Sequence, residues 1–454
     1  VAHALGRHLV LTGFMGAGKT TVGAEVARRL GRPFRDADRE LEEKHGPISD
    51  IFARQGEAVF RELEARFVRA ACDSRVPSVV AVGGGAVETT GLLEGLDALV
   101  VLLDVDVETA WQRARRSDRP LARDEDEFRR RYELRAPLYD GVAAARATDA
   151  EGVVLAAAGI RFAPHADATG DALVADEHVA ELHGIEATHL LPAGEAAKTV
   201  AEAERLWRAL RLDRRSTLVA VGGGSATDLA GFVAATYMRG IPWIAVPSTL
   251  VGQVDAAIGG KTAIDLPEAK NLVGAFHWPA ETVVDTSLLD TLPDEERANG
   301  LAEVVKTGFL AGEPLWDLEI AEQVRRCAAF KGAVCLRDPY EQDERAQLNL
   351  GHTFAHALEA ASGYGLPHGR AVALGLLAAL RLSGLEAEAK TVEEVLRPQR
   401  VPVDRDAAWA ALALDKKAAR GKPRLVLLDA PGRPRWGVEV EEQELRSALD
   451  SLIA

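Results

Sequence analysis

At 454 residues the chain is too long for one ordinary domain, and two or three are expected. An apolar share of 47% is enough for real cores, and few aromatics among much Ala, Leu and Val suits helices packed on sheets. A formal net charge of −15 argues against nucleic acid as a partner, because that binding runs on Lys and Arg neutralising phosphates, but small anionic substrates need only local positive charge.

The opening residues, Val1-Ala-His-Ala-Leu-Gly-Arg7, lead straight into an apolar strand, His8–Thr12, with no secretory h-region. Cys72, Cys327 and Cys335 have no CxxC spacing, so a reduced, cytoplasmic chain with inert thiols is expected. After the strand comes Gly13-Phe-Met-Gly16-Ala17-Gly18-Lys19-Thr20, a full G-x-x-x-x-G-K-[ST] run, and then a predicted helix over Thr20–Leu30. In that context the glycines let backbone N–H groups wrap phosphate at a helix N-terminus. Lys19 would neutralise the β and γ phosphates and Thr20 would place its hydroxyl on Mg²⁺, with Thr21 beside it, so ATP with Mg²⁺ is the expected cofactor.

Further strands are predicted at Val79–Val82 and Ala98–Leu103, each feeding a helix, which implies a parallel sheet. The Ala-rich stretch Gly141–Gly170 predicts a last helix and then a linker near Pro164–Gly170. A second βα pattern follows at Ala172–Asp176, Thr217–Val221 and Trp243–Pro247. Its glycine loop, Val221-Gly-Gly223-Gly224-Ser225-Ala-Thr-Asp228, is weak by itself because it is not a full G-x-G-x-x-G. From about Pro293 the periodicity turns helical and predicts an all-helical subdomain. The longest apolar stretch, Ala371–Leu380, is too short to span a bilayer and reads as a core helix, so no membrane partner is expected. The domains are therefore set at 1–163, 170–292 and 293–454.

His352 and His356 are four apart and share one helix face. With Glu303 and His368 they suggest a divalent metal held by three protein ligands with one position open, although spacing alone does not say which three.

The downstream words of the first half are Asp36-Ala-Asp38, Phe60-Arg61-Glu62-Leu63-Glu64, Gly83-Gly84-Gly85, Arg119-Pro-Leu and Arg135-Ala-Pro-Leu-Tyr139. Singly, Asp36 and Asp38 could cap the following helix and Arg61 could be a solvated helix charge. Together they resemble shikimate kinase over roughly residues 7–160. The resemblance implies a P-loop kinase sheet, with Asp36 helping to hold Mg²⁺ and Asp38 receiving the acceptor hydroxyl proton. Arg61 and Arg135 would grip the shikimate carboxylate, Gly83, Gly84 and Gly85 would let backbone approach it, and Arg119 would close over the phosphates.

The second half carries Gly194-Glu195-Ala-Ala-Lys198, Asp228, Arg239-Gly, Pro247-Ser248-Thr249, Asp255, Lys261, Lys270-Asn271, Glu303-Val-Val-Lys306, Lys331, Arg345, Asn349-Leu-Gly-His352, His356, His368-Gly and Asp415-Lys416-Lys417. In that order they resemble 3-dehydroquinate synthase over roughly residues 170–454. The resemblance implies zinc (or Co²⁺) on Glu303, His352 and His368, and bound NAD⁺ at Gly223, Gly224, Ser225 and Asp228. Asp176, Ser248 and Thr249 belong to the same cofactor set, and Glu195 and Lys198 would stand near its ribose or adenine end. Asp255, Lys261, Lys270, Asn271, Lys306, Lys331, Arg345, Asn349, His356 and one of Lys416 and Lys417 would hold or work on the sugar phosphate. Arg239 matches an arginine lent by a neighbouring subunit, which implies a homodimer through this half. The chain departs from the family pattern at Ser225, Thr227, His178 and Arg370. Alternatives are a kinase fused to a different sugar-phosphate cyclase, or to a degenerate dimerising domain.

Overall fold

The computed structural model describes residues 3–116, 124–413 and 423–454, so Arg119, Lys416 and Lys417 lie outside the described residues. The chain divides into two compact units, Val1–Arg161 and Phe162–Ala454. No helix among the described residues is long and apolar enough to cross a membrane.

In the first unit, strands β1 (His8–Thr12), β2 (Phe34–Asp36), β3 (Val79–Ala81), β4 (Ala98–Leu103) and β5 (Ala145–Ala147) form one parallel sheet. Their order is β2-β3-β1-β4-β5. β1 and β4 are buried along their whole length, as unbroken apolar runs in a parallel sheet require. The carboxyl ends of β1, β2 and β3 therefore bring together the P-loop, Asp36 with Asp38, and the triple-glycine turn. Phe14 of the P-loop packs edge-on against Phe128 and Tyr132 at 5.0 and 5.1 Å. That contact seats the helix Glu125–Val142, and with it Arg135, beside the loop.

The stretch 141–170 holds the expected helix, Ala150–Ala157, but also β5 and β6 (Ile160–Phe162). Three-residue strands are too short to display an alternation, so only the helix was legible there. The expected linker is also partly ordered: His165–Asp167 forms a 3₁₀ turn, and the His165 N–H and ring both reach Asp285 Oδ2, at 2.7 and 2.9 Å.

The second unit adds β7 (Ala172–Asp176), β8 (His189–Leu191), β9 (Leu218–Gly222), β10 (Trp243–Pro247), a hairpin of β11 (Lys261–Leu266) and β12 (Ala269–Phe276), and β13 (Glu281–Val284). The main sheet runs β6-β13-β10-β9-β7-β8, with a parallel register wherever it is defined by residue pairs. Helices follow from Asp294, but the subdomain is not all-helical. Leu425–Ala430 (β14) and Arg433–Val438 (β15) pair as an antiparallel hairpin. The buried run Leu425–Leu428 carries no period that separates strand from helix, and the Pro431-Gly432 turn was the overlooked mark.

The helix His368–Leu382 is the core helix expected around Ala371–Leu380. It crosses the helix His352–Ala361 closely, because a side chain on Gly375 would run into the Gly351 carbonyl. Gly351 is itself left-handed (φ 79°), which favours glycine. This approach brings the first residues of both helices, His352 and His368, within ring contact at 5.6 Å.

Candidate active sites

In the first unit Gly16, Gly18, Lys19, Thr20, Thr21, Asp36 and Asp38 line one cleft of about 270 Å³. Lys19 Nζ donates to the carbonyls of Gly13 (2.7 Å) and Phe14 (3.2 Å). Thr20 Oγ1 donates to Asp36 Oδ2 at 2.6 Å, while the other Asp36 oxygen caps the next helix by accepting from Arg39 N. Asp36 thus caps the next helix while its second oxygen stays on Thr20, in a single rotamer.

Arg61 and Arg135 converge on the far side of the glycine turn. Arg135, 3% exposed, forks onto Glu88 with Nε and Nη2 at 3.0 and 2.8 Å. Arg61 holds Glu64 and Glu57 at 2.8 and 2.9 Å and stands 3.6 Å from Glu88. Gly85 has no Cβ because that position is taken by the Arg61 guanidinium. The Tyr139 hydroxyl donates to Gly84 O at 2.5 Å and fixes the turn from behind. Burial drives the carboxyl of Glu64 upward despite the neighbouring Arg61. At Glu88 burial acts the same way, but Arg135 and Arg61 outweigh it and hold the carboxyl below its usual range.

Nothing in the sequence singles out Glu88, and Glu64 carries no motif of its own. Glu64 sits three residues after Arg61 on one helix, a spacing that could have paired them.

In the second unit the described residues hold one cluster of metal-type donors, Glu303, His352 and His368, with their ligand atoms within 4.8 Å of one another. His368 Nε2 lies 3.1 Å and His352 Nε2 3.4 Å from Glu303 Oε1. His356, on the same helix, is exposed and touches the His352 ring at 5.5 Å, but it is not part of this triad. Burial opposes the charge on Glu303, yet Lys306 and the two histidines hold its carboxyl well below the usual range. Burial likewise opposes charge on His368, but Glu303 and Glu359 outweigh it and lift the imidazole to about 10.

The triad continues into a chain of paired charges. Glu303 Oε2 rests 2.5 Å from Lys306 Nζ, and Asp255 stands 3.5 Å from Lys306 and 2.9 Å from Lys331. Lys261 pairs with Glu341 at 2.5 Å, and Asn349 donates to the other Glu341 oxygen at 3.0 Å. Arg345 is 1% exposed, donates to Pro339 O, and its buried Nε has no hydrogen-bond partner among the described residues.

Residues 188–299 match the family model for the 3-dehydroquinate synthase N-terminal region, and residues 300–418 match the one for its C-terminal region. A 3-dehydroquinate synthase of Methylococcus capsulatus is 42% identical over 290 residues, which cover 58% of this chain and 81% of that protein. Another, of Symbiobacterium thermophilum, is 40% identical over 325 residues, 62% of this chain and 90% of that one. The chain belongs to the 3-dehydroquinate synthase family. Residues 15–158 match the shikimate kinase family model, so the chain is a fusion of two enzymes, a kinase followed by a synthase. Among solved structures, a 2-epi-5-epi-valiolone synthase from Streptomyces hygroscopicus with NAD⁺ and Zn²⁺ bound is similar, at 25% identity and a TM-score of 0.57. That match covers 64% of this chain and 96% of that one.

In the synthase half the expected dinucleotide residues gather at the carboxyl ends of β7, β9 and β10. Gly223 caps the helix Gly224–Thr236, which carries Ser225 and Asp228, and the Ser248 N–H donates to Gly222 O at 2.8 Å. Thr249 lies against Gly223. Thr227 turns its hydroxyl back to Gly223 O and Gly224 O and so leaves the helix start intact. Asp176 is committed to backbone: it accepts from His178 N, Val179 N and Gly194 N. Lys198 pairs with Asp228 at 2.6 Å rather than with Glu195, which meets Lys270 at 3.3 Å.

Lys270 and Asn271 open strand β12, and Asn271 sits at φ 53°. Arg239 stands exposed in a left-handed turn (φ 70°), and among the described residues no hydrogen bond or ion pair joins it to the other synthase residues.

Glu341 and Glu359 were missed in the sequence. Glu359 accepts from or shares a proton with His368 Nδ1 at 3.0 Å. It lies seven residues after His352, on the same helix face, which was the available signal. Glu341 gave no periodic signal, because it sits in an irregular turn at φ 54°.

Proposed function

We propose that the kinase half transfers the γ-phosphoryl group of ATP to shikimate. The observation that carries this is the single cleft shared by the P-loop residues, Asp36 and Asp38. Mg²⁺ fits beside the close Thr20–Asp36 pair, where it would neutralise phosphate charge. Lys19 exchanges its two backbone carbonyls for phosphate oxygens, and Asp38 takes the proton from the attacking hydroxyl. Arg61 and Arg135 hold the substrate carboxylate, for which a planar guanidinium fork is better suited than an ammonium.

For the synthase half we infer conversion of 3-deoxy-arabino-heptulosonate 7-phosphate to 3-dehydroquinate and phosphate. The carrying observation is the Glu303–His352–His368 triad continued by Lys306, Asp255 and Lys331. Two neutral-capable imidazoles and one carboxylate with converging donor atoms suit Zn²⁺ with an open position, and Co²⁺ equally in geometry. When bound, Zn²⁺ supplies polarisation of an alcohol oxygen, and NAD⁺ supplies a temporary store for its hydride. Lys306 and Lys331 hold anionic oxygens of the substrate, with Asp255 keeping both lysines in place. Lys261, Asn349 and the unpartnered Nε of Arg345 offer further donors. His356, exposed beside His352, moves protons at the substrate. Gly223, Gly224, Ser225 and Thr249 face the dinucleotide.

This half forms a homodimer, a reading supported by the exposed Arg239 and by Leu272, Val273 and Phe276, which are 46%, 38% and 47% exposed on β12.

The test is phosphate release from the heptulosonate phosphate with NAD⁺ and Zn²⁺, with and without a chelator, alongside ATP-dependent phosphorylation of shikimate. Metal-dependent release without net NADH is expected. Turnover of sedoheptulose 7-phosphate instead would move the synthase half to a different cyclase reaction, and phosphorylation of gluconate would move the kinase half likewise.

A further inference from the structure

Glu88 occupies a telling position in the kinase half. It ends the 3₁₀ turn Ala86–Glu88 that follows the triple glycine, and both of its carboxylate oxygens take the fork of Arg135. Arg61 Nη2 stands 3.6 Å from the same carboxylate. These are the two arginines that the proposed reading assigns to a substrate carboxylate. The opening next to them, about 490 Å³ and lined by Arg61, Glu88, Glu57 and Arg131, is large enough for a small carboxylic acid.

The two partners differ in burial. The Arg135 side chain is 3% exposed and that of Glu88 41%. A buried guanidinium left without a counter-charge is strongly unfavourable, so Arg135 needs an anion whether or not substrate is present. A half-exposed glutamate can supply that anion and then swing into water with little loss, because a partly solvated ion pair is worth little.

We propose that Glu88 is an internal stand-in for the substrate carboxylate: it holds the Arg135 fork while the site is empty and is displaced when the acid binds. Glu88 therefore competes with substrate and sets its apparent affinity. This inference rests on the kinase reading above. It differs from a positioning role, in which Glu88 would stay on Arg135 and aim it at the substrate.

The experiment uses the full-length chain. KM and kcat for shikimate are measured in the wild type, in Glu88→Gln, and in Glu43→Gln, where an exposed carboxylate of the same half, paired with Arg39 at 3.0 Å, is removed instead. The Kd for shikimate without ATP is measured calorimetrically in the same three proteins. Glu88→Gln should lower both KM and Kd about three- to tenfold with kcat unchanged. Glu43→Gln should leave both unchanged, which separates displacement from a general loss of negative charge. An active wild type whose KM and Kd stay constant or rise in Glu88→Gln overturns the stand-in and leaves the kinase reading in place. An equal fall in Glu43→Gln also overturns it. A wild type that neither binds nor phosphorylates shikimate overturns the kinase reading, and this inference falls with it.

Discussion

The two active-site regions are built from opposite materials. The kinase cleft is made mostly of backbone at strand ends, with a few charged side chains, Arg135 and Glu64 among them, buried behind it. The synthase site is made of charges inside helices, where Glu303, Lys306, Lys331, Arg345 and His352 are all buried. At the P-loop a functional side chain such as Lys19, which bonds only backbone carbonyls there, can be lost without much harm to the fold. In the second, each charge is the counter-charge of the next, so function and stability are bound together.

The largest effect should come from Glu303→Ala. Synthase activity is expected to fall to background, and chemical denaturation should show the second unit destabilised by up to about 3–5 kcal/mol, because buried Lys306 loses its nearer counter-charge and keeps only Asp255 at 3.5 Å. Shikimate phosphorylation should survive, and its loss would break the separation of the two units. Lys19→Ala should do the reverse: kcat/KM for shikimate falls roughly 10²–10³-fold, with unfolding changed by less than about 1 kcal/mol. A large loss of stability there would erase the contrast between the regions.

Smaller changes sharpen it. Glu359→Gln should weaken zinc binding about 10–100-fold, read by competition with a chromophoric chelator, because Glu359 orients His368 through Nδ1. Gly85→Ala pushes a methyl group into the Arg61 guanidinium and should raise the KM for shikimate about tenfold with the fold intact. The smallest effect concerns acid. Burial opposes the charge on Asp255, but Lys306 and Lys331 bring its carboxyl down to about 2. A lowered carboxyl contributes stability above its unfolded value near 3.8 and loses it as the pH falls toward 2. With 25% of the side chain exposed, the contribution is about 1–2 kcal/mol. The stability gap between wild type and Asp255→Asn should therefore narrow between about pH 4 and pH 2 in denaturant titrations.

Legibility in the sequence followed the same division. The P-loop, β1, β4, β7, β10 and the helix around Ala371–Leu380 could be read locally, since a glycine pattern or an apolar run carries its own period. Elements stabilised by distant partners could not: β5 and β6 are three residues long, and the β14–β15 hairpin hides in a helical stretch. Among site residues, the spacing of His352 and His356 pointed to a shared face but not to the pair that meets Glu303. His368, sixteen residues beyond His352, enters the triad because two helices cross, and no periodicity reports a crossing. Glu88, Glu341 and Glu359 escaped notice because each works by facing a cation or imidazole that the fold, not the chain order, puts beside it.

The crossing at Gly351 and Gly375 carries a last consequence. Neither residue has a functional group, and a survey of the chain for chemically active side chains would pass over both. Yet they set how near two histidines come to one glutamate. A library that randomised these two glycines and left every polar residue untouched would be expected to return proteins with all their ligands and no shared metal. The spacing of the triad is written here partly in the absence of atoms.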